Sequence, residues 1–216
     1  LNGPHNERIA NYIERAQQEL QFPVQVHDFG MHAQDTVNAC FWPSLAAALA
    51  KSAWQPTSRY RGALSGFEAA RAAPLPLDIN TVQHSEIAAF AMQLRMHMCH
   101  GSDAVLHRAD IRDTIYQAFA ALGDKNMPGQ GKAPILQFYE RWVAKLAKNE
   151  FADELVVLAS SMELSVRIVC VPYTPLGSAP WKISQYPPEG RGIASNITVY
   201  LGNDDVHYVW LEPTAG

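Results

Sequence analysis

The chain has 216 residues and a formal net charge of −4; 48% of its residues are hydrophobic and 18% charged, the balance of an ordinary soluble globular domain with one sizeable core. No uncharged apolar run approaches the roughly 18 residues of a membrane-spanning helix, and Arg59, Arg61 and Arg71 are scattered rather than gathered into a basic patch. Membrane and nucleic acid are therefore excluded as principal partners.

In chain order, Ile9, Tyr12, Ile13, Ala16 and Leu20 recur at helical spacing behind a capping Asn6 and a first-turn Glu7, which predicts an amphipathic helix over residues 6–20. Residues 22–31, with Pro23, Gly30 and alternating valines, read as a short extended piece. It leads into the polar turn at Asp35 and then into Cys40-Phe-Trp-Pro-Ser-Leu-Ala-Ala-Ala-Leu. Pro43 is tolerated in a first helical turn, and Leu45 and Leu49 anchor the helix that follows. Residues 54–84 carry Pro56, Gly62, Gly66, Pro74 and Pro76 and predict irregular chain with one short helix over 65–72.

Three helical patterns come next, built on Ile87, Phe90, Leu94 and Met98, on Ile111, Ile115, Phe119 and Leu122, and on Ile135, Phe138, Trp142 and Leu146. A further helix over 151–162 runs directly into the β-branched stretch Ser165-Val-Arg-Ile-Val-Cys-Val, a buried strand. Residues 172–192, rich in proline and glycine, predict a long surface loop with a short strand over 181–184. The chain then closes with a hairpin: Ile197-Thr-Val-Tyr-Leu alternates, Gly202-Asn-Asp-Asp is turn chemistry, and Val206-His-Tyr-Val-Trp-Leu alternates again. His207 falls near the start of the second strand.

Cysteine usage narrows the chemistry. Cys40, Cys99 and Cys170 are far apart and odd in number, which opposes a disulfide framework and favours a reducing, cytosolic setting. The opening Leu1-Asn-Gly-Pro has no initiating Met and no basic-then-apolar order, so no signal peptide is read there and the sequence resembles a piece of a longer chain. Cys40 falls at or just before a helix N-terminus, where orphan backbone N–H groups and the positive helix end favour the nucleophilic thiolate and an oxyanion growing on a substrate carbonyl. His207 supplies the acid–base partner that a thiol nucleophile needs. The alternative for Cys40 is a small buried hydrophobe.

Three segments together resemble the ovarian-tumour (OTU) family of deubiquitinating cysteine proteases. They are Asp35 to Leu49 with Cys40-Phe41-Trp42, Glu154-Leu-Val-Val-Leu-Ala with Val166-Arg-Ile-Val, and Ile197-Thr-Val-Tyr-Leu with His207-Tyr208-Val209-Trp210-Leu211. The resemblance implies one α+β, papain-like domain over 1–216, a small mostly antiparallel sheet between helices, with residues 85–147 as a helical insertion lobe of the kind in bacterial OTU-like effectors. That lobe is either a ubiquitin contact or scaffold. The implied activity is thiol-dependent hydrolysis of the (iso)peptide bond after the ubiquitin C-terminal glycine, with ubiquitin or polyubiquitin chains as partners, and the host cytosol as workplace for a bacterial effector.

On this likeness Cys40 is nucleophile and His207 base. Asn38 and Ala39 belong to the oxyanion turn, and Trp42 lines the channel for the substrate tail. Two departures stand out. The family's Asp lies three residues before the Cys, whereas Asp35 lies five before it and no Gly intervenes; and Val209 occupies the place, two after the His, of the family's orienting Asp or Asn. Asp35 is the first candidate for the third member, ahead of Asn38, Asp204 and Asp205, the last two being turn formers. Two other readings stay open: a ubiquitin-binding module of the same fold that lost its chemistry, and a papain-like hydrolase of another amide.

Other signals are weaker. Met96-His-Met-Cys-His offers His97, Cys99 and His100 as metal ligands, but no second cluster with zinc spacing exists, so no metal is expected. Gly129-Gln-Gly-Lys lacks the spacing of a phosphate loop. Cys170 reads as strand packing. No organic cofactor is implied.

Overall fold

The computed structural model describes residues 13–29, 40–57, 60, 62–75, 85–100, 103–122, 132–147, 154–172, 183–187, 196–203 and 208–214. The first helix, α1, is described over 13–20. It stops where Gln21 turns to φ 63° while its N–H still reaches the Gln17 carbonyl at 2.9 Å. The strand β1 follows at Val24–His27, then α2 at Phe41–Lys51, α3 at Phe67–Ala72 and α4 at Glu86–Cys99. A single 3₁₀ turn at Val105–His107 precedes α5 at Ala109–Leu122, α6 at Lys132–Ala147 and α7 at Glu154–Leu164. The strands β2 Arg167–Pro172, β3 Ser184–Tyr186, β4 Thr198–Asn203 and β5 Tyr208–Pro213 complete the order.

The five strands form one sheet in the order β1-β5-β4-β2-β3. The β2–β4 pair is parallel and the other three are antiparallel, so the mixed α/β fold has a mostly antiparallel sheet. Alternation along the strands divides the core in two. Ile168, Cys170, Val199, Leu201, Tyr208 and Trp210 face the main core with α2 and the helices behind it. Val171, Leu211, Tyr200 and Val209 face the opposite way, onto Val24, Val26 and the α1 residues Ala16 and Leu20.

The helix α2 is buried on every side: of Phe41 to Ala50, all but Pro43 are buried. Such a helix belongs at the centre of a fold rather than on its surface, and its run of alanines lets neighbours approach closely. The helix α4 packs on α2 and α3, α6 packs on α4, and α5 packs on α7. The helices of residues 85–147 thereby share the core that holds α2.

A tight reversal joins α7 to β2. Ser165 takes φ 52°, its N–H reaches the Met162 carbonyl, and the Val166 N–H reaches back to Ser161 O at 3.1 Å.

Two predicted boundaries shift. The short strand expected over 181–184 lies instead at Ser184–Tyr186, where Tyr186 pairs with Ile168 and rests against the main core. Gly202 and Asn203, read as turn residues, belong to β4, pairing with Val209 and Tyr208 on one side and with Val171 and Pro172 on the other. A strand bonded on both sides overrides the local turn preference of Gly-Asn. Residues 204–207, which hold the rest of the predicted turn and the start of its second strand, lie outside the described residues, as do residues 6–12 of the first predicted helix.

Candidate active site at the start of α2

Cys40 is the N-cap residue of α2. Its carbonyl accepts the first helical hydrogen bond, from Ser44 N at 3.2 Å, while its side chain makes no capping bond to the helix. The sulfur is engaged elsewhere. The Tyr208 N–H donates to Cys40 Sγ at 3.2 Å across 168 residues of sequence. That nitrogen belongs to the peptide bond joining Tyr208 to His207.

A second bond secures the junction. Ser44, one helical turn beyond Cys40, donates its Oγ–H to the Tyr208 carbonyl at 3.1 Å. The Tyr208 ring meets Phe41 edge-on at 5.2 Å and 70°. Both backbone groups and the ring of Tyr208 are therefore held by the first turn of α2. Each bond lies in the buried interior, where an unmade partner costs about 1–3 kcal/mol, so the first residue of β5 has little freedom to slide along α2. An N–H aimed at sulfur supports the negative charge of a thiolate, and the positive end of α2 adds to it.

Cys40 is 2% exposed, Trp42 4%. Trp42 meets Phe41 edge-on at 5.0 Å. The remaining predicted site residues, Asp35, Asn38, Ala39 and His207, lie outside the described residues, as do Asp204 and Asp205. Ser44 is the described residue that the sequence reading passed over. Its signal was a lone hydroxyl one turn after Cys40 in an otherwise apolar stretch.

The other two cysteines differ in kind. Burial pushes the Cys170 thiol up to about 12, with the nearby charge of Glu154 adding to the effect, as its place on β2 predicts for a packing residue. Cys99 is likewise pushed up to about 12 by burial, against the opposing charge of Arg95. Neither is a thiolate near neutral pH.

The histidine–cysteine run on α4 is spent on structure. His97 Nε2 lies 3.1 Å from Glu163 Oε1, and Arg108 Nη1 donates to Glu163 Oε2 at 2.5 Å. Burial would raise the Glu163 carboxyl, but the His97 hydrogen bond, the Arg108 charge and a Tyr60 hydrogen bond outweigh it and hold it below the ordinary carboxylate range. Among the described residues, no three His, Cys, Asp or Glu side chains gather in a way that could hold a metal ion. Nor is any described helix long and apolar enough to cross a membrane.

No protein-family model matches the sequence, and no curated protein does either. Among solved structures the chain is similar to OTU domains. The OTUD1 OTU domain is 13% identical, with 95% of this chain and 92% of that one covered, at a TM-score of 0.44. A structure of OTUB1 with ubiquitin aldehyde and UBC13~Ub is 12% identical over 98% of this chain and 99% of that one, at 0.46. A second such OTUB1 complex is 14% identical over 83% and 77%, at 0.47. What the site can do follows from the chain's own side chains.

Proposed function

We propose that this protein is a deubiquitinating cysteine protease in which Cys40 attacks the carbonyl carbon of the ubiquitin C-terminal glycine. The observation that carries the reading is the 3.2 Å hydrogen bond from Tyr208 N to Cys40 Sγ, because that nitrogen is one peptide unit from His207. In the first half-reaction the thiol proton passes to the His207 imidazole, the thiolate adds to the carbonyl, and the tetrahedral oxyanion collapses to a thioester as the imidazolium protonates the departing lysine amine. In the second, the imidazole takes a proton from water, hydroxide adds to the thioester, and the thiol is regenerated.

The backbone N–H groups of Asn38, Ala39 and Cys40 are the proposed oxyanion donors, in the turn that Asp35 opens. Trp42 is proposed to border the channel for the extended glycine tail. Selectivity then comes from a protein-sized docking surface rather than from a small pocket. Polyubiquitin is the proposed natural substrate, the helices of residues 85–147 the proposed accessory lobe, and the cytosol the proposed workplace.

Val209, where an orienting carboxylate is expected, favours a second reading: a ubiquitin-binding module without turnover. A ubiquitin probe with a thiol-reactive electrophile at its C-terminus separates the readings. A covalent adduct that disappears in Cys40→Ala supports the protease. Binding with no adduct supports the module, and neither adduct nor binding leaves a hydrolase of another amide.

A further inference from the structure

We propose that the last turn of α4 binds a soft monovalent cation, copper(I), through the Met96 thioether, Nδ1 of His97 and the imidazole of His100, on a different helix from Cys40. Methionine is a side chain that folded proteins mostly bury. Among the described residues, Met92 at 54% and Met96 at 53% exposure are the large hydrophobic side chains left in water, one turn apart on the outer face of α4. His100, the cap of the helix, is exposed one turn beyond Met96. A thioether in water gains nothing from packing, but it is a soft donor.

The three donors share one turn. Residues three and four apart on a helix have Cβ atoms about 5–6 Å apart, so His100 neighbours both His97 and Met96. Its N–H closes the helical bond to the Met96 carbonyl at 3.0 Å, which keeps its Cα on that turn. Met92, four residues before Met96, lies on the far side of it from His100.

His97 supplies the observation that makes these neighbours a site. Its Nε2 lies 3.1 Å from Oε1 of Glu163, whose side chain is 1% exposed and whose other oxygen is held by Arg108 Nη1. Its other nitrogen, Nδ1, has no partner among the described residues. The buried side-chain nitrogen and oxygen atoms left unpaired there are Arg112 Nε and Ser160 Oγ, so Nδ1 is open to solvent. A metal-binding imidazole is held in this way, one nitrogen on the ion and the other giving its N–H to a carboxylate, which fixes the tautomer and strengthens the ligand. The run on α4 thus spends one ring nitrogen on structure and keeps three donors facing outward.

The donor set selects the ion. Calcium and magnesium take oxygen ligands, and structural zinc takes four from Cys, His and carboxylates, whereas thioether sulfur selects copper(I) and imidazole accepts it. The third donor is methionine sulfur, consistent with no three His, Cys, Asp or Glu gathering among the described residues. The negative end of α4 lies beside these donors and favours a cation.

The test uses the full chain carrying Cys40→Ala, so that the thiol of α2 does not take the ion; Cys99 and Cys170 are buried with their thiols pushed up to about 12. Silver(I), equally soft and redox-inert, is titrated by calorimetry, and copper(I) by competition with a chromophoric chelator. One equivalent of each is expected to bind. Met96→Leu and His100→Ala should each weaken binding at least about tenfold, and Glu163→Gln, which leaves all three donors in place, about tenfold. Met92→Leu should stay within threefold. Positions 96 and 100 are exposed, so both variants should melt with the Cys40→Ala parent before the ion is added. Affinity within threefold of that parent in Met96→Leu or His100→Ala overturns the assignment, as does an equal loss in Met92→Leu. Uptake that no substitution on α4 changes marks an adventitious ion only and overturns it too. None of these readings depends on whether the chain cleaves ubiquitin.

Discussion

The last turn of α4 and the N-cap of α2 both carry cysteine, and the structure uses them in opposite ways. The α4 stretch is the denser in the sequence: His97, Cys99 and His100 within four residues. Yet His97 is tied to Glu163, Cys99 is buried with its thiol pushed up to about 12, and His100 is the exposed cap of the helix. Cys40 has no such neighbours in sequence, and its sulfur accepts a hydrogen bond from a strand 168 residues away. Density of reactive residue types along a chain is thus a poor guide to a site. What distinguishes the two is the backbone around the sulfur: α4 ends on carbonyl groups, whereas α2 begins on N–H groups, and only the latter favour a negative charge.

Substitutions sharpen that contrast. The largest expected effect is on Cys40: Cys40→Ala should lower ubiquitin C-terminal hydrolysis by at least about 10³-fold, while Cys99→Ala stays within twofold of the parent in steady-state assays. Equal losses from both would erase the distinction. Next comes the α4 cluster. Glu163→Ala removes the carboxylate that holds His97 and one of the two on Arg108, the other being Asp110, and should cost about 2–3 kcal/mol in urea unfolding, with kcat at 25 °C unchanged. A fall in kcat without a fall in stability would move that cluster into the chemistry.

Smaller effects follow from the clamp and from protons. Ser44→Ala removes the donor to the Tyr208 carbonyl and should cost about 1–2 kcal/mol, with a several-fold loss of kcat and little change in KM, since β5 would then be free to shift against Cys40. The titration of Glu163 carries the smallest expected effect. Because its carboxyl is held below its ordinary value in the folded chain, its contribution is fully present above about pH 4.3 and is lost as pH falls through the folded value. Melting temperatures between pH 7 and pH 3 should drop in that acid window, and Glu163→Gln should flatten the drop.

Much of the fold was legible because its periods are local. The α4, α5 and α6 patterns, the α7-to-β2 unit and the closing hairpin all follow from spacings of three to four or of two residues. Boundaries failed where a neighbour overruled the local preference, as at Gly202-Asn203, which two flanking strands draw into β4. For the candidate site, the placing of Cys40 as the cap of α2 was readable from Pro43 and the apolar run behind it. The role of Ser44 was not, because a hydroxyl in a helix has no meaning until the strand carbonyl it meets is known.

By itself, then, the sequence determined the type of most of the described segments, and that a cysteine stands at the start of an apolar helix; each depends on residues within a turn or two of one another. Tertiary structure alone decided which strand lies against that cysteine, which histidines are held by a carboxylate, and which residues share a face of the β1–β5 ladder. Those are distances between residues as much as 189 positions apart, as for Val24 and Pro213, and no local spacing encodes them.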